Sequence, residues 1–430
     1  MPGPTLFVPP RRARRGAALT LVFMGALAAG AATAAWGVAD GRQVRPPAGE
    51  HGERQVLHGA VGRSAAGPRA ADRHAVDRRA VEAAAERAVE DGKSGSEAAA
   101  ELLSRSGDAW SAVYTPREYE GFALALDGAY VGVGLTARRV EGGRMEVDGV
   151  RPDGPAERAG IAPGDRLLTV DGADVTGRPV TEVVSLLRGD GRSLGSWPVS
   201  ASGTTVRLGI QRGAERWERT LRRERLLTES VEVERRDDGP AGALPATLIK
   251  ISSFTRGTGE RVREAVREAA PGEGILLDLR GNSGGLVTEA VTAASAFLDG
   301  GLVATYDVRG SRHALWAEPG GDTRRPLVVL VDGGTMSAAE LLTGALQDRG
   351  RTVVVGSRTF GKGSVQMPSR LADGSVAELT VGHYRTPAGR AVDGTGITPD
   401  LAVRGPAGDG GEGDAEARGR RVLSGLGGGA

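Results

Sequence analysis

The apolar positions of the chain change their spacing from one stretch to the next, and each spacing predicts a different kind of structure. Residues 17–39 (AALTLVFMGALAAGAATAAWGVA) form an uncharged run of 23 that is long enough to cross a bilayer. Arg11, Arg12, Arg14 and Arg15 precede it and favour holding that end in the cytoplasm. The pattern predicts a single-pass anchor in residues 1–40. A secretory signal peptide cleaved near Ala32–Ala34 is the alternative. In either case the rest of the chain lies outside the cytoplasm, in the cell envelope or secreted. Residues 41–73 are rich in Gly, Pro, Arg and Ala without apolar period, which predicts a flexible linker. In 74–118 the spacing turns helical, with Val76, Val81, Val89, Leu102 and Leu103 among Ala, Glu and Arg. Gly92 and Gly95 divide this segment into two short helices.

From Tyr119 to about 226 the pattern alternates. YVGVGLTARRV and RMEVDGV predict strands, and GPAERAG a short helix with Pro155 in its first turn. Turns fall at Pro163-Gly164-Asp165 and Asp171-Gly172. TEVVSLLRG predicts a helix capped by Thr181 and ended by Gly189. TTVRLGIQRGAERWERTL predicts a hairpin around Arg212-Gly213. In this order the elements resemble a PDZ domain, a mixed β unit with two helices. The resemblance implies capture of a peptide C-terminus on an open sheet edge. It assigns Gly132, Val133, Gly134 and Leu135 to the carboxylate loop. The 190–203 insertion with Trp197 has no counterpart in that pattern.

Residues 227–403 alternate helical spacing with continuous apolar runs, GILLDL and PLVVLVD among them. Continuous apolar strands are buried on both faces, so this unit is expected to be an α/β core with a largely parallel sheet. The fold class is therefore multidomain α/β: helical segment, PDZ unit and α/β core. Residues 404–430 are Gly-rich with scattered charge and are expected to be a disordered tail.

Composition narrows the chemistry. Lys+Arg is 55 and Asp+Glu 54, so net charge points to no nucleic-acid partner. The chain has no cysteine, which excludes disulfides, thiolate catalysis and Cys-type zinc sites. Arg supplies all of the basic residues except Lys93, Lys250 and Lys362.

The stretch LDLRGNSGG suggests Ser283 as a trypsin-like nucleophile. Such a serine needs a histidine base and an orienting aspartate. The histidines are His51, His58, His74, His313 and His383, and none lies between 74 and 313. Ser283 therefore lacks a base. Ser337, in VDGGTMSAAELLTGALQD, follows a strand and begins a helix. Its plain role is a capping box with Glu340 reaching back to the Ser337 backbone. Its functional role needs a base other than histidine, and Lys362, between Gly361 and Gly363, is the candidate. A lysine becomes a base when burial lowers its pKa, which an arginine does not. Gln366 lies four residues further on. A straight strand would hold it about 13 Å from Lys362, so it requires a bend at Gly363 or acts less directly.

With KISSF, LDLRGNSGG, GTMSAAELLTGALQD, VVVGSRTFGKGSVQ, YRTPAGR and GTGITPD in order, and GDAWSAVYTPREYE ahead of the PDZ unit, residues 75–403 resemble the carboxy-terminal processing (tail-specific) proteases. The resemblance implies a serine–lysine dyad of Ser337 and Lys362 assisted by Gln366. It implies an oxyanion hole from the N–H groups of Gly285 and Ala338, with no metal or cofactor. It also implies protein substrates with flexible, apolar C-termini. Met336 and Ala339 depart from the family pattern, which reads Ala and Ser there. Asp278 and Arg280 either brace the loop or form a plain structural ion pair. The alternative function is a non-catalytic PDZ peptide-binding protein with an inactive protease domain. An activator protein or a homo-oligomeric state is left open.

Overall fold

The computed structural model describes residues 77–189, 202–237, 244–308, 311–403 and 411–427. The expected anchor and linker, and the Trp197 loop, lie outside them. Among the described residues no helix is long and apolar enough to cross a membrane.

The N-terminal segment forms α1 (Arg78–Glu90) and α2 (Gly95–Ser106), with Asp77 and Ser94 at their N-caps. Strand β1 (Ala112–Tyr114) and α3 (Pro116–Leu126) follow, and α3 opens on a Thr115–Glu118 capping box. The segment does not stand alone. Val81, Ala85, Ala99 and Leu103 bury against Leu371, Ala377 and Leu379, more than 250 residues away in sequence.

The second unit contains β2 (Ala129–Gly132), β3 (Leu135–Arg139), β4 (Met145–Val150), α4 (Pro155–Arg158), β5 (Arg166–Val170), β6 (Ala173–Asp174), α5 (Val180–Arg188), β7 (Thr205–Arg212), β8 (Glu215–Arg222) and β9 (Glu224–Leu227). Its main sheet runs β3-β4-β5-β7-β8 with β6 on β5, and β2 pairs with β9. Met145, Val147, Leu167, Val170, Leu208 and Ile210 fill its core. Strand β3 is an edge, with no partner on its outer side among the described residues. Helix α5 begins at Val180 behind Pro179 and not behind Thr181. A proline supplies the fixed φ of a helix entry without a side-chain cap.

The third unit contains β10 (Val231–Arg236), β11 (Ala246–Ile251), α6 (Thr258–Glu268), β12 (Gly274–Asp278), α7 (Val287–Ser295), β13 (Gly301–Val308), β14 (Ser311–Ala317), β15 (Leu327–Val331), α8 (Ala338–Asp348), β16 (Val353–Gly356), β17 (Ser364–Arg370), β18 (Val376–Arg385), β19 (Leu401–Ala402) and α9 (Gly411–Gly427). One sheet runs β10-β11-β12-β15-β16-β19 and is parallel except at β10. Alternate residues of β11, β12 and β15 face opposite sides. Ile249, Ile275, Leu277 and Val329 pack on α6, α7 and α8. Leu248, Leu276, Val328 and Leu330 face the other way, where Leu423 of α9 meets them. A second, antiparallel sheet runs β1-β18-β13-β14, with β17 also on β18.

The expectation of a disordered tail over 404–430 is corrected for 411–427, which is helix α9. Its glycines read as helix breakers in the sequence, but Gly419 is a packing residue. A Cβ there would stand 2.8 Å from Leu330 Cδ2 and 3.0 Å from Leu276 Cδ1. Leu423 in turn fills the space above Gly274.

Candidate active site

Strand β15 ends at Val331, and residues 332–336 turn the chain into α8 with Ser337 at the N-cap. Ser337 is held at φ 53° and ψ −117°, a region that non-glycine residues rarely occupy. Such strain persists only where the surroundings over-determine it. The turn is tied from both sides. Asp332 Oδ1 accepts from the N–H groups of Gly334 and Gly281, and Asn282 O accepts from Met336 N–H. The strained serine is thus fastened to the loop after β12.

The other fastening is Glu340, which is fully buried in the first turn of α8. Its Oε2 accepts from Ser337 N–H at 2.9 Å and from Lys362 N–H at 2.8 Å. Its Oε1 accepts from Thr359 Oγ1 at 2.5 Å and from Gly361 N–H at 2.7 Å. One carboxylate oxygen therefore holds the backbone of both Ser337 and Lys362. Burial raises the Glu340 pKa, and the four donors oppose that rise. Four donors on two oxygens suit an ionised carboxylate, which only accepts. The sequence marks Glu340 as half of a capping box but gives no sign of the partners on residues 359–362.

Lys362 is 5% exposed. Burial lowers its pKa from 10.5 to about 8, against the opposing pull of Asp108, Glu378, Glu340 and Asp393. Its Nζ lies 4.9 Å from the centre of the Trp110 ring. The flanking glycines serve backbone packing. A Cβ on Gly363 would stand 2.5 Å from Asp393 N, and one on Gly361 3.1 Å from Gly396 N. Segment 393–396, Asp393 and the first residues of GTGITPD, packs on the lysine loop. Tyr384, 2% exposed, donates from its phenol to Lys362 O at 2.6 Å. Burial holds its pKa well above the ordinary value, and a hydrogen bond with the Ser337 side chain works in the other direction.

Gln366 lies in β17, which follows directly on the lysine loop. Its amide donates to Ser364 Oγ at 2.8 Å and Thr380 Oγ1 at 3.3 Å. The pairing of β17 with β18 shifts register between Val365 and Gln366.

The RGNSGG loop approaches Ser337 through its glycines. A Cβ on Gly284 would stand 2.9 Å from Ser337 Cβ and 3.2 Å from Ala338 N. Phe254 N–H bonds Gly284 O, and Leu286 N–H bonds Phe254 O. That bridge turns the N–H of Gly285, the residue between, to the opposite side. Ala338 opens α8, where a backbone N–H has no intrahelical acceptor. Gly284 is the loop residue that sequence reasoning missed, because three glycines in six residues look interchangeable. Ser283 is buried, and its Oγ has no hydrogen-bond partner among the described residues. Asp278 and Arg280 form a bidentate pair at the head of the loop, with Arg280 also 3.9 Å from Glu416 of α9.

In the second unit, residues 132–135 join β2 to β3 beside the open edge. Val133 is buried, and its carbonyl accepts from Ala156 N–H at 2.9 Å. Gly134 sits at φ 76°. Among the described residues no group of acidic or histidine side chains is placed to hold a metal ion.

The sequence model "Peptidase family S41" matches residues 246–403, and "PDZ domain" matches 146–194. The chain is 32% identical over 310 residues to the carboxyl-terminal-processing protease of Synechocystis sp., covering 71% of this chain and 70% of that one. It is 30% identical over 313 residues to a probable CtpA-like serine protease of Staphylococcus saprophyticus, of whose length it spans 60%. Among solved structures it is similar to a photosystem II D1 C-terminal processing protease, at 29% identity and a TM-score of 0.47, covering 75% of this chain and 85% of that one.

Proposed function

The chain belongs to peptidase family S41, and we propose that it is a serine endopeptidase that recognises protein C-termini through its PDZ unit and cleaves by a Ser337–Lys362 dyad. The observation that carries this is the shared carboxylate. Glu340 fixes a strained serine and a buried, pKa-lowered lysine to one oxygen atom. A capping serine with a solvated lysine nearby would require none of this.

In the proposed mechanism, neutral Lys362 takes the Ser337 proton, and Ser337 Oγ attacks the scissile carbonyl. The N–H groups of Gly285 and Ala338 receive the oxyanion, each such donor being worth about 3 kcal/mol. The protonated lysine returns its proton to the leaving amine, and an acyl-enzyme remains. Water, deprotonated by the same lysine, then releases the acid and regenerates the serine. Tyr384 stabilises the resting serine and the lysine carbonyl. Gln366 acts indirectly, by holding β17 to β18 through Thr380.

A substrate tail adds to the free edge of β3, with its terminal carboxylate at residues 132–135. The uncharged run at 17–39 supports an extracytoplasmic location with a single membrane anchor. Protein substrates with flexible, apolar C-termini suit both features.

The test is cleavage of an unfolded reporter with an apolar tail. Ser337→Ala and Lys362→Ala should each abolish turnover while the fold survives. Full activity in both variants sinks the proposal. If instead the wild type neither turns over the reporter nor takes a fluorophosphonate label, the non-catalytic PDZ reading is favoured.

A further inference from the structure

Two aromatic rings beside the dyad have no part in the steps above. Phe360 immediately precedes Gly361-Lys362, and its N–H donates to Thr335 O at 3.0 Å, two residues before Ser337. Its backbone is therefore fixed between the serine turn and the lysine loop. The residue is nevertheless 47% exposed. The ring meets Trp110 edge to face, with centroids 6.0 Å apart and planes at 70°. Trp110 in turn carries Lys362 Nζ over its face. The Trp110 backbone is anchored, because Asp108 Oδ1 accepts its N–H at 2.8 Å. Ser111 Oγ donates to Asp108 Oδ2 and accepts Thr380 N–H at 2.9 Å from β18. The N-terminal segment thus delivers an immobilised aromatic wall to the lysine, and Phe360 extends that wall into solvent.

A peptide whose carbonyl sits at Ser337 Oγ brings its neighbouring side chains within one residue's span, about 3.5 Å of backbone. Resting on the dyad reading above, we propose that Trp110 and Phe360 form a side-chain subsite for an aliphatic or aromatic substrate residue flanking the scissile bond. Contact with such a residue buries the exposed Phe360 ring, which is favourable in proportion to the apolar area covered. It also shields Trp110 and Lys362 from water, which disfavours the charged form of the base. An acidic side chain in the same place does the reverse, because a carboxylate beside the ammonium favours its protonated form. Substrate choice and activation of the base are then one event, made at residues that the N-terminal segment brings in from outside the α/β core.

The experiment is a peptide series with Leu, Phe, Ser or Asp on either side of the scissile bond. Each peptide is assayed for kcat/KM with the wild type, Phe360→Ser, Phe360→Leu and Trp110→Leu, with Ser337→Ala as the blank. The wild type should prefer Leu or Phe over Ser by at least about tenfold at one of the two positions, the discrimination an apolar pocket supplies. Phe360→Ser should reduce that preference to about threefold or less, because kcat/KM falls in greater proportion on the Leu and Phe peptides than on the Ser peptide. Phe360→Leu should restore the aliphatic preference, and Trp110→Leu should weaken the aromatic one. An absent wild-type preference, or one unchanged in Phe360→Ser, overturns the inference alone. A wild type that cleaves no peptide in a Ser337-dependent way overturns the dyad reading and the inference with it.

Discussion

The pKa of Lys362 sets the pH at which the proposed enzyme works, and that pH is measurable. Burial takes this group from 10.5 to about 8. The shift corresponds to about 3 kcal/mol of difference between the two protonation states in the folded protein. If the neutral amine is the base, kcat/KM follows its neutral fraction. That fraction is roughly a hundredth at pH 6, a tenth at pH 7 and nine tenths at pH 9. The profile should therefore climb about tenfold per unit to near pH 8 and then flatten. Glu378 stands close enough to Lys362 to be felt electrostatically, and its own pKa is raised by burial to about 7. Its carboxylate favours the ammonium, so Glu378→Gln should move the limb to lower pH by a few tenths of a unit and raise activity at pH 7 about twofold. The assay is kcat/KM on one peptide between pH 6 and 9.5, with Ser337→Ala subtracted. A flat profile, or one still climbing about tenfold per unit at pH 9.5 as for a solvated lysine, would refute the reasoning. The same shift has a signed effect on stability. Between about pH 8 and 10.5 the unfolded chain binds the proton that the folded chain has lost, so wild-type stability rises with pH across that window. Lys362→Met should therefore be inactive yet more stable at pH 7 by up to about 3 kcal/mol in urea, with the gain shrinking above pH 8.

Glu340→Gln leaves one acceptor oxygen where four donors converge, so kcat should fall by about a hundredfold or more with KM little changed. Gly284→Ala drives a Cβ into Ser337 at a backbone φ of 97° and should cost about a hundredfold in kcat/KM, whereas Ser283→Ala, which removes an unpartnered hydroxyl, should change it less than about threefold. Leu423→Ala should destabilise the protein by about 2–4 kcal/mol in urea unfolding; no change would mean that α9 is not part of the fold.

The elements that were legible in the sequence are those whose burial is local. GILLDL and PLVVLVD are apolar at every position because β12 and β15 are covered on both faces. The α1 and α2 helices fall on either side of Gly92, where the spacing breaks, and Gly95 is the first residue of α2. Ser337 and Lys362 stood out as candidates in the sequence because each carries an odd local signal, a helix-opening serine after Gly-Gly and a lysine in an arginine-rich chain. Residues whose meaning depends on distant partners were not legible. Glu340 looks like a cap until residues 359–362 arrive at its second oxygen. Trp110 falls within the GDAWSAVYTPREYE motif, but nothing there tells of its contact with Lys362, which lies some 250 residues further on. The tail failed for a related reason. Gly419 weakens a helix considered alone, at roughly 1 kcal/mol against alanine, and only the sheet beneath it shows why glycine stands there.

Glu340 and Trp110 have one thing in common: each acts on the charge or strain of the proposed dyad without belonging to it. Glu340 offsets the strain at Ser337 by bonding its amide, and the same oxygen positions the lysine. Trp110 and the burial around it bear oppositely on Lys362, since the ring face attracts the ammonium while loss of water disfavours it. A cation–π contact contributes about 0.5–2 kcal/mol, less than the roughly 3 kcal/mol of the net shift, so burial wins and the Lys362 pKa falls to about 8. The balance is narrow enough that covering or uncovering the ring moves the base by a measurable fraction of a unit. The N-terminal segment carries that ring, and its helices are seated on Leu371, Ala377 and Leu379 of the core. Loosening that seat, far from any reacting atom, should therefore alter the pH profile before it alters the fold.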